Sequence, residues 1–287
     1  MPIRTSIVGR SGPSISNVID SRWLMAYAAG IGATDECFID TRRAGGLVAH
    51  PMFPVCYEWP AVVGIFREIR ESGISAEEAA RGVHATHDLT IHRAIRAGDR
   101  LTTIATAAGI EQRKPGAYML SKLETVDAAG KPVSTTWYGT LYRDVSIDGA
   151  SRASTPHTPL PTIGTGELLS ESVVRIPAEA AHVYTECARI WNPIHTDSAV
   201  AAGAGLPAII LHGTATLAYS VSAALSALGE NPSRVSRIIG RFGAMVLMPS
   251  EIRVRIHERA GNFVHFETLN AEGAPAIRDG AMVLQAS

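Results

Sequence analysis

One short segment in the second half of the chain combines residue types that acid–base chemistry uses. It runs from Asn192 to Asp197 with the order Asn-Pro-Ile-His-Thr-Asp, and a Gly-rich turn then leads to the pair His212-Gly213. A neutral histidine, with an ordinary pKa of ~6.5, can accept a proton at cellular pH. The start of a helix offers free backbone N–H groups to a negatively charged oxygen. His195 is therefore the first candidate for a catalytic group.

Several other kinds of chemistry have no matching motif. The sequence contains no G-x-G-x-x-G or Walker-type loop and no G-x-S-x-G, which argues against a nucleotide cofactor and an ordinary serine hydrolase. Three further histidines are spaced somewhat like metal ligands: His84, His87 and His92. They have no adjacent carboxylate pair or cysteine, so we expect neither a metal nor a cofactor.

Composition and charge narrow the class of protein. The chain has 287 residues, of which 46% are hydrophobic and 18% charged, enough for a packed core. Its 26 basic and 27 acidic residues give a net charge of -1, without the basic excess that nucleic-acid binding requires. No window approaches the ~20 apolar residues of a membrane span, and the first residues lack a signal-peptide core. We expect a cytoplasmic protein that binds neither nucleic acid nor membrane.

The elements that must position His195 occur twice along the chain. A Ser-, Thr- and Pro-rich stretch near the midpoint predicts a linker over 148–164, between halves at 1–147 and 165–287. Each half begins with a helical segment, Arg22 to Asp40 and then Pro177 to Asp197. A Gly-rich turn, a short apolar run, a histidine and a longer helix follow in both, and the two histidines are His50 and His212.

Each half then ends in sequences typical of strands. Ile252, Val254 and Ile256 alternate with polar neighbours, which gives the strand one apolar face. The helix after His212 is small-sided almost all round, which favours a helix wrapped by a curved sheet. This order of elements, a helix, a short apolar run, a long helix and then antiparallel strands, is that of a hotdog fold. We therefore predict an α+β double hotdog, with two antiparallel sheets each wrapped around a long central helix and paired edge to edge.

Five segments together resemble one known family. Asn192 to Asp197 and Gly205 to Gly213 resemble Y-x-x-x-S-G-D-x-N-P-x-H-x-D and the following I-x-H-G of the MaoC-like dehydratases, the (R)-specific enoyl-CoA hydratases. His50 to Val55 and Ile91 to Asp99 resemble first-half segments of the two-domain, hydratase-2-type members. Gly240 to Glu251 resembles the G-R-F segment that follows the second helix.

The resemblance implies a lyase of fatty acid metabolism. Such enzymes add water across the C2–C3 double bond of an acyl thioester, or remove it. The implied partner is a thioester of CoA or of acyl-carrier protein, bound in a groove between the halves. A homodimer of the whole chain stays open.

The resemblance also implies roles for individual residues. The catalytic group would comprise His195 as the base, Asn192 as an organiser of the loop and Gly213 as a backbone donor to the thioester oxygen. The residues expected at the substrate are Tyr184, Ile190, His212 and Arg241. His212 can equally be structural, with its ring bonded to backbone.

One position departs from the family pattern. The motif aspartate should stand five residues before His195, where this chain has Ile190, and Arg189 replaces the preceding glycine. Another carboxylate, Asp197 or Glu186, could replace it in space. Alternatively, the chain could be another lyase that acts on an acidified C–H, a hotdog thioesterase, or an acyl-CoA-binding protein without catalysis.

The first half carries fewer candidate residues. Tyr27 pairs with Tyr184 at an offset of 157, and the same offset places Phe38 opposite His195. We therefore expect the first half to supply a wall for the acyl chain. Asp35 could face a pocket of its own. Glu58 lies on the predicted first central helix, where hotdog thioesterases carry a catalytic carboxylate. We favour the interpretation of Glu58 as a solvated or helix-end acid.

Overall fold

The computed structural model describes residues 2–71, 73–157, 166–257 and 261–285. The first half contains β1 (Ile3–Arg4), β2 (Ile15–Val18), α1 (Ser21–Gly30), α2 (Glu36–Ile39), α3 (Pro54–Glu71), α4 (Ala76–Ala80), β3 (Gly82–Ile91), β4 (Arg100–Arg113), β5 (Gly116–Asp127), β6 (Pro132–Arg143), β7 (Ile147–Asp148) and β8 (Arg152–Ala153). The second half contains β9 (Leu168–Ile176), α5 (Ala180–Ala188), α6 (Ser198–Gly203), α7 (Gly213–Leu228), β10 (Val235–Phe242), β11 (Ser250–His257), β12 (Phe263–Leu269) and β13 (Pro275–Leu284).

One antiparallel sheet of 11 strands runs through both halves. Its order is β2-β4-β5-β6-β3-β10-β13-β12-β11-β9, with β8 paired to β4. The halves join where β3 pairs with β10, from Thr86 opposite Arg241 to Thr90 opposite Arg237. The prediction of a double hotdog is confirmed, because each set of strands carries its own long helix and the two sets meet edge to edge.

The two central helices are α3 and α7. Helix α7 contacts β9, β11, β12 and β13, so the second set of strands curves around it. Ala215, Ala218 and Ala224 have no exposed surface, which fits the small-sided helix expected from the sequence. The predicted alternation on β11 also holds, since Ile252 and Val254 are fully buried against the core.

A buried ion pair joins the halves at their shared strand pair. The guanidinium of Arg237 on β10 donates two hydrogen bonds of 2.7 Å to the carboxylate of Asp88 on β3. Asp88 is only 2% exposed. A carboxylate buried this deeply needs such a partner, because isolated charges are strongly disfavoured away from water.

The first part of the predicted linker packs against the first half. Strand β7 pairs with β1, and β8 pairs with β4. The remainder of the linker, 158–164, lies outside the described residues. The division at 148–164 stays a prediction. Among the described helices, none is both long and apolar enough to cross a bilayer.

Candidate active site between the halves

A cavity of about 230 Å³ lies between the two halves. One wall comes from α3 and β3 of the first half. The other comes from the segment around His195, the start of α7 and the loop after β10. Its polar lining residues are Glu58, His84, His87, Tyr138, Thr140, Asn192, His195, His212, Thr214 and Thr216.

His195 sits on a single 3-10 turn, Pro193–His195, and is almost buried. Its Nδ1 lies 2.8 Å from the carbonyl oxygen of Ile210. Because a carbonyl only accepts, Nδ1 carries the proton and Nε2 keeps its lone pair. Burial lowers the pKa of His195 to about 4, although the bond to Ile210 opposes this shift. The ring is therefore a neutral proton acceptor at neutral pH.

The ring of His212 packs directly against that of His195. Their centroids are 3.7 Å apart and their planes differ by 25°. Nε2 of His212 lies 3.3 Å from the hydroxyl of Thr185 on α5. Burial and the neighbouring His195 hold the pKa of His212 well below its ordinary value. The pair therefore presents two neutral imidazoles.

Helix α7 begins at the cavity wall. The N–H of Thr216 donates to the carbonyl of His212 at 3.0 Å, so the N–H groups of Gly213 and Thr214 precede the first bond of the helix. Gly213 is needed for close packing: a Cβ at this position would lie 2.9 Å from Cδ1 of Phe242. The positive end of the helix dipole thus faces a cavity that also contains His195.

Ile190 forms an apolar part of this wall. Helix α5 ends at Ala188, and Arg189 adopts a left-handed conformation with φ 59° and ψ 37°. A residue with this left-handed conformation at a helix end is usually glycine. The guanidinium of Arg189 instead lies 4.1 Å above the ring of Trp23 in the first half. Ile190 follows, 4% exposed, and lines the cavity.

Comparison with known proteins identifies both halves. Residues 166–274 match the family model of the MaoC like domain, and residues 6–136 match that of the FAS1-like dehydratase domain region.

The second half is a MaoC-like domain.

Three relatives illustrate the similarity. The fatty acid synthase subunit beta of Aspergillus oryzae is 37% identical over 89 residues, which cover 30% of this chain and 4% of that protein. The peroxisomal multifunctional enzyme type 2 of Drosophila melanogaster is 33% identical over 93 residues, or 32% of this chain and 15% of the enzyme. The chain thus spans a small part of these two relatives. A MaoC-like dehydratase structure from Phytophthora capsici superposes with a TM-score of 0.84 and 20% identity, over 99% of this chain and 97% of that one.

Five of the seven residues expected at the site lie together in the cavity of the MaoC-like half. They are Ile190, Asn192, His195, His212 and Gly213. Asn192 is half-buried, and its carbonyl accepts from the N–H of His195 at 3.1 Å. Its side chain caps no turn, so the amide group is available to the cavity.

Tyr184 and Arg241, the other two residues expected at the substrate, do not line this cavity. The hydroxyl of Tyr184 donates to Thr214 at 3.0 Å, which buries the ring behind the start of α7. Arg241 forms an ion pair of 2.8 Å with Asp279 and lines a different cavity. The family motif places both close to the site in sequence, but packing turns their side chains away.

The two carboxylates considered as replacements for the motif aspartate do not reach the cavity. The side chain of Asp197 caps α6 by accepting from Ala199 and Val200. Glu186 is exposed and lines a separate surface pocket beside Trp191. Among the described residues that line the main cavity, the single carboxylic acid is Glu58.

The interpretation of Glu58 as a solvated acid is wrong. Glu58 is only 2% exposed, and its Oε1 accepts from the hydroxyls of Ser134 and Thr136, each at 2.9 Å. Burial raises the pKa of Glu58 to about 8. Helical spacing could have predicted this burial. Val55, Glu58, Val62 and Phe66 recur every three or four residues, and all four face the cavity.

Two histidines of β3 complete the first-half wall. His84 stacks on Tyr138, with ring centroids 3.7 Å apart. His87 is 1% exposed, and neither of its ring nitrogens has a hydrogen-bond partner within the described residues. Burial lowers the pKa of His87 to about 4. The spacing of these histidines along the sequence resembles that of metal ligands only loosely, and it did not predict that they line this cavity.

A second cavity of about 840 Å³ lies beside the corresponding segment of the first half and is lined by residues of both halves. Phe38, at the position that matches His195, lines it together with Asp35. Nδ1 of His50 accepts from the N–H of Met52 at 3.1 Å, and Nε2 lies 3.0 Å from the hydroxyl of Ser222. Both nitrogens of His50 are thus occupied, and none of the described residues that line this cavity offers a counterpart to Nε2 of His195.

Proposed function

We propose that the chain is a hydro-lyase that adds water to, or removes it from, an acyl thioester of CoA or acyl-carrier protein. The single observation that carries this proposal is the geometry of His195. Its Nδ1 is fixed by Ile210, its Nε2 has no partner within the part of the chain that the structure describes, and the ring lies in one cavity with the start of α7. The MaoC-like family match and the relatives' names support the same class of reaction.

The roles follow from the position of each group. Nε2 of His195 takes a proton from the attacking water as the C3–O bond forms. Negative charge then moves to the thioester oxygen, where the N–H groups of Gly213 and Thr214 stabilise it. Asn192 is placed to orient the water, and the apolar side chain of Ile190 packs against the acyl group.

The wall of α3 gives the acyl group a largely apolar surface. Val55, Trp59, Val62 and Phe66 all line the cavity from this helix. Pockets of this kind bind ligands through apolar contact and a few well-placed polar groups. The proposed substrate is therefore an enoyl or 3-hydroxyacyl thioester whose pantetheine lies along the junction of the halves.

A hydration assay tests the proposal directly. Crotonyl-CoA and longer or branched enoyl-CoAs are offered to the wild type, His195→Ala and Ile190→Asp, with His92→Ala as a control at an exposed histidine. We expect turnover by the wild type and by His92→Ala, and a loss of ~10²–10⁴-fold in His195→Ala.

Two other results would replace this function. In the first, the wild type binds acyl-CoA but does not hydrate it, and Ile190→Asp gains hydration. This result would indicate a hydratase scaffold that now only binds acyl thioesters. Release of free CoA thiol without hydration would instead indicate a thioesterase. Because Ile190 replaces the motif aspartate, acyl-thioester binding without catalysis is the second candidate function.

A further inference from the structure

Helix α3 brings one acidic side chain to the cavity from the half opposite His195. Residues at positions 55, 58, 59, 62 and 66 form one face of this helix, and all of them line the cavity. Four of these residues are apolar, so Glu58 is the exception on an otherwise apolar face. The lining contains no lysine or arginine among the described residues.

The carboxyl group of Glu58 is hydrogen-bonded but has no basic partner among the described residues that line the cavity. Its Oε1 accepts from Ser134 and Thr136 on β6, and Oε2 has no hydrogen bond among the described residues. A buried carboxyl group without a basic partner is costly to the fold. Such groups cluster at functional sites, where the environment sets their protonation.

A second observation also points to a polar ligand at this wall. His87, on the neighbouring strand, is almost fully buried and lines the same cavity. Both of its ring nitrogens lack a partner within the described residues. Buried polar atoms in native proteins are normally hydrogen-bonded, so these nitrogens indicate polar atoms of a ligand or of water in the cavity.

We infer that Glu58 is the second acid–base group of this site and takes the place of the acid that position 190 lacks. The inference rests on the proposed function. During hydration, water loses a proton to Nε2 of His195 and its oxygen bonds to C3. The C2–C3 π electrons move toward the thioester, and C2 then takes the proton of the Glu58 carboxyl group. A proton returned from His195 to Glu58, directly or through water, restores both groups.

The protonation states suit these roles. Burial raises the pKa of Glu58 to about 8 and lowers that of His195 to about 4, so a neutral acid faces a neutral base at pH 7. Opposite shifts of two groups in one site are how environments assign acid and base. The other titratable groups that line this cavity are His84 and His87 on β3, Tyr138 on β6 and His212 before α7.

The test compares Glu58→Gln and Glu58→Asp with the wild type, and uses Glu71→Gln as a control at an exposed acid of the same helix. For Glu58→Gln we expect kcat to fall ~10²–10⁴-fold with little change in KM. The alkaline limb of the kcat profile should disappear with it. Glu58→Asp should retain part of the wild-type kcat and the alkaline limb of its pH profile. If Glu58→Gln does not fold, Glu58→Asp is compared with the wild type instead.

A rescue variant separates catalysis from structure. Ile190→Asp in the Glu58→Gln background restores a carboxylate beside His195, so kcat should rise at least tenfold above that of Glu58→Gln. Wild-type kcat and pH profile in Glu58→Gln, or in Glu58→Asp if only that variant folds, would overturn the inference and leave the proposed function intact. A wild type that is inert on every enoyl thioester would instead remove the proposed function itself.

Discussion

The imidazole rings of His195 and His212 are stacked 3.7 Å apart, yet their nitrogens are engaged differently. Nδ1 of His195 is bound to the carbonyl of Ile210, and its Nε2 has no partner among the described residues, whereas Nε2 of His212 faces the hydroxyl of Thr185 and its buried Nδ1 has no partner there. In the proposed mechanism, His195 transfers the proton and His212 supports its ring.

Replacing each ring by phenylalanine distinguishes the two roles. His195→Phe should lower kcat for hydration by ~10²–10⁴-fold, because the proton acceptor is lost while the stack is kept. His212→Phe keeps the ring that supports His195 and should retain kcat within about tenfold. Steady-state kinetics on crotonyl-CoA measure both variants. Equal losses would show that His212 takes part in proton transfer.

Glu58→Gln should stabilise the protein at pH 8 more than at pH 5. The pKa of Glu58 is raised in the folded state, so the folded chain binds more protons than the unfolded chain between pH ~4.5 and about 8. The contribution of Glu58 to stability therefore falls as pH rises through this range, by up to ~3 kcal/mol at pH 7. Urea unfolding at both pH values tests this. A pH-independent difference from the wild type would contradict it.

Acid should weaken the fold through its buried histidines. Burial lowers the pKa of His87 and His195 to about 4, so between pH ~6.5 and 4 the unfolded chain binds more protons. Stability should rise with pH across this window and fall on acidification. The melting temperature of His87→Leu should depend less steeply on pH than that of the wild type. The exposed His92→Ala serves as a control and should keep the wild-type slope.

Gly213→Ala should impair both folding and catalysis. The new Cβ would lie 2.9 Å from the ring of Phe242, so the start of α7 or the ring must shift, at a cost of ~1–3 kcal/mol. Hydration should fall with the displaced N–H groups. Gly203→Ala is the matched control, because its Cβ meets nothing within 4 Å in a helix. That variant should be neutral or slightly stabilising in thermal denaturation.

Replacing only one partner of the ion pair between the halves should destabilise the protein. Asp88→Asn removes the charged partner of Arg237, whose side chain is 33% exposed, and should lower the free energy of unfolding by about 1–3 kcal/mol. Replacing both partners, as in Asp88→Leu with Arg237→Met, should cost much less. Guanidinium unfolding of the three chains provides the comparison. Equal stability of the single and double variants would contradict a charge-based role.

The sequence predicted the fold well because its signals are local. Apolar alternation at Ile252 and Val254 identifies a strand, and the small residues of α7 identify a helix that a sheet can enclose. The repeated order of these elements then determines the double hotdog. The motif around His195 was equally local, and five of its expected site residues meet in one cavity.

The contributions from the other half were not visible in the same way. Glu58 and His87 lie over 100 residues from His195 along the chain, and the pairing of β3 with β10 brings their half to the MaoC-like half. Glycine at position 189 would have signalled the left-handed helix end, but Arg189 adopts that conformation while it contacts Trp23. Such features depend on tertiary packing, which spacing along one segment does not encode.

The two unequal cavities have a consequence for how this molecule can change. In a symmetric dimer of identical chains, every substitution alters both sites at once. Here the position matching Ile190 is Ala33, and the one matching His195 is Phe38. Because each site is encoded separately, one chamber can lose its reactive groups while the other acquires new ones. In a chain that contains both halves, a substitution can therefore change one cavity without changing the other, while the halves still share one continuous sheet.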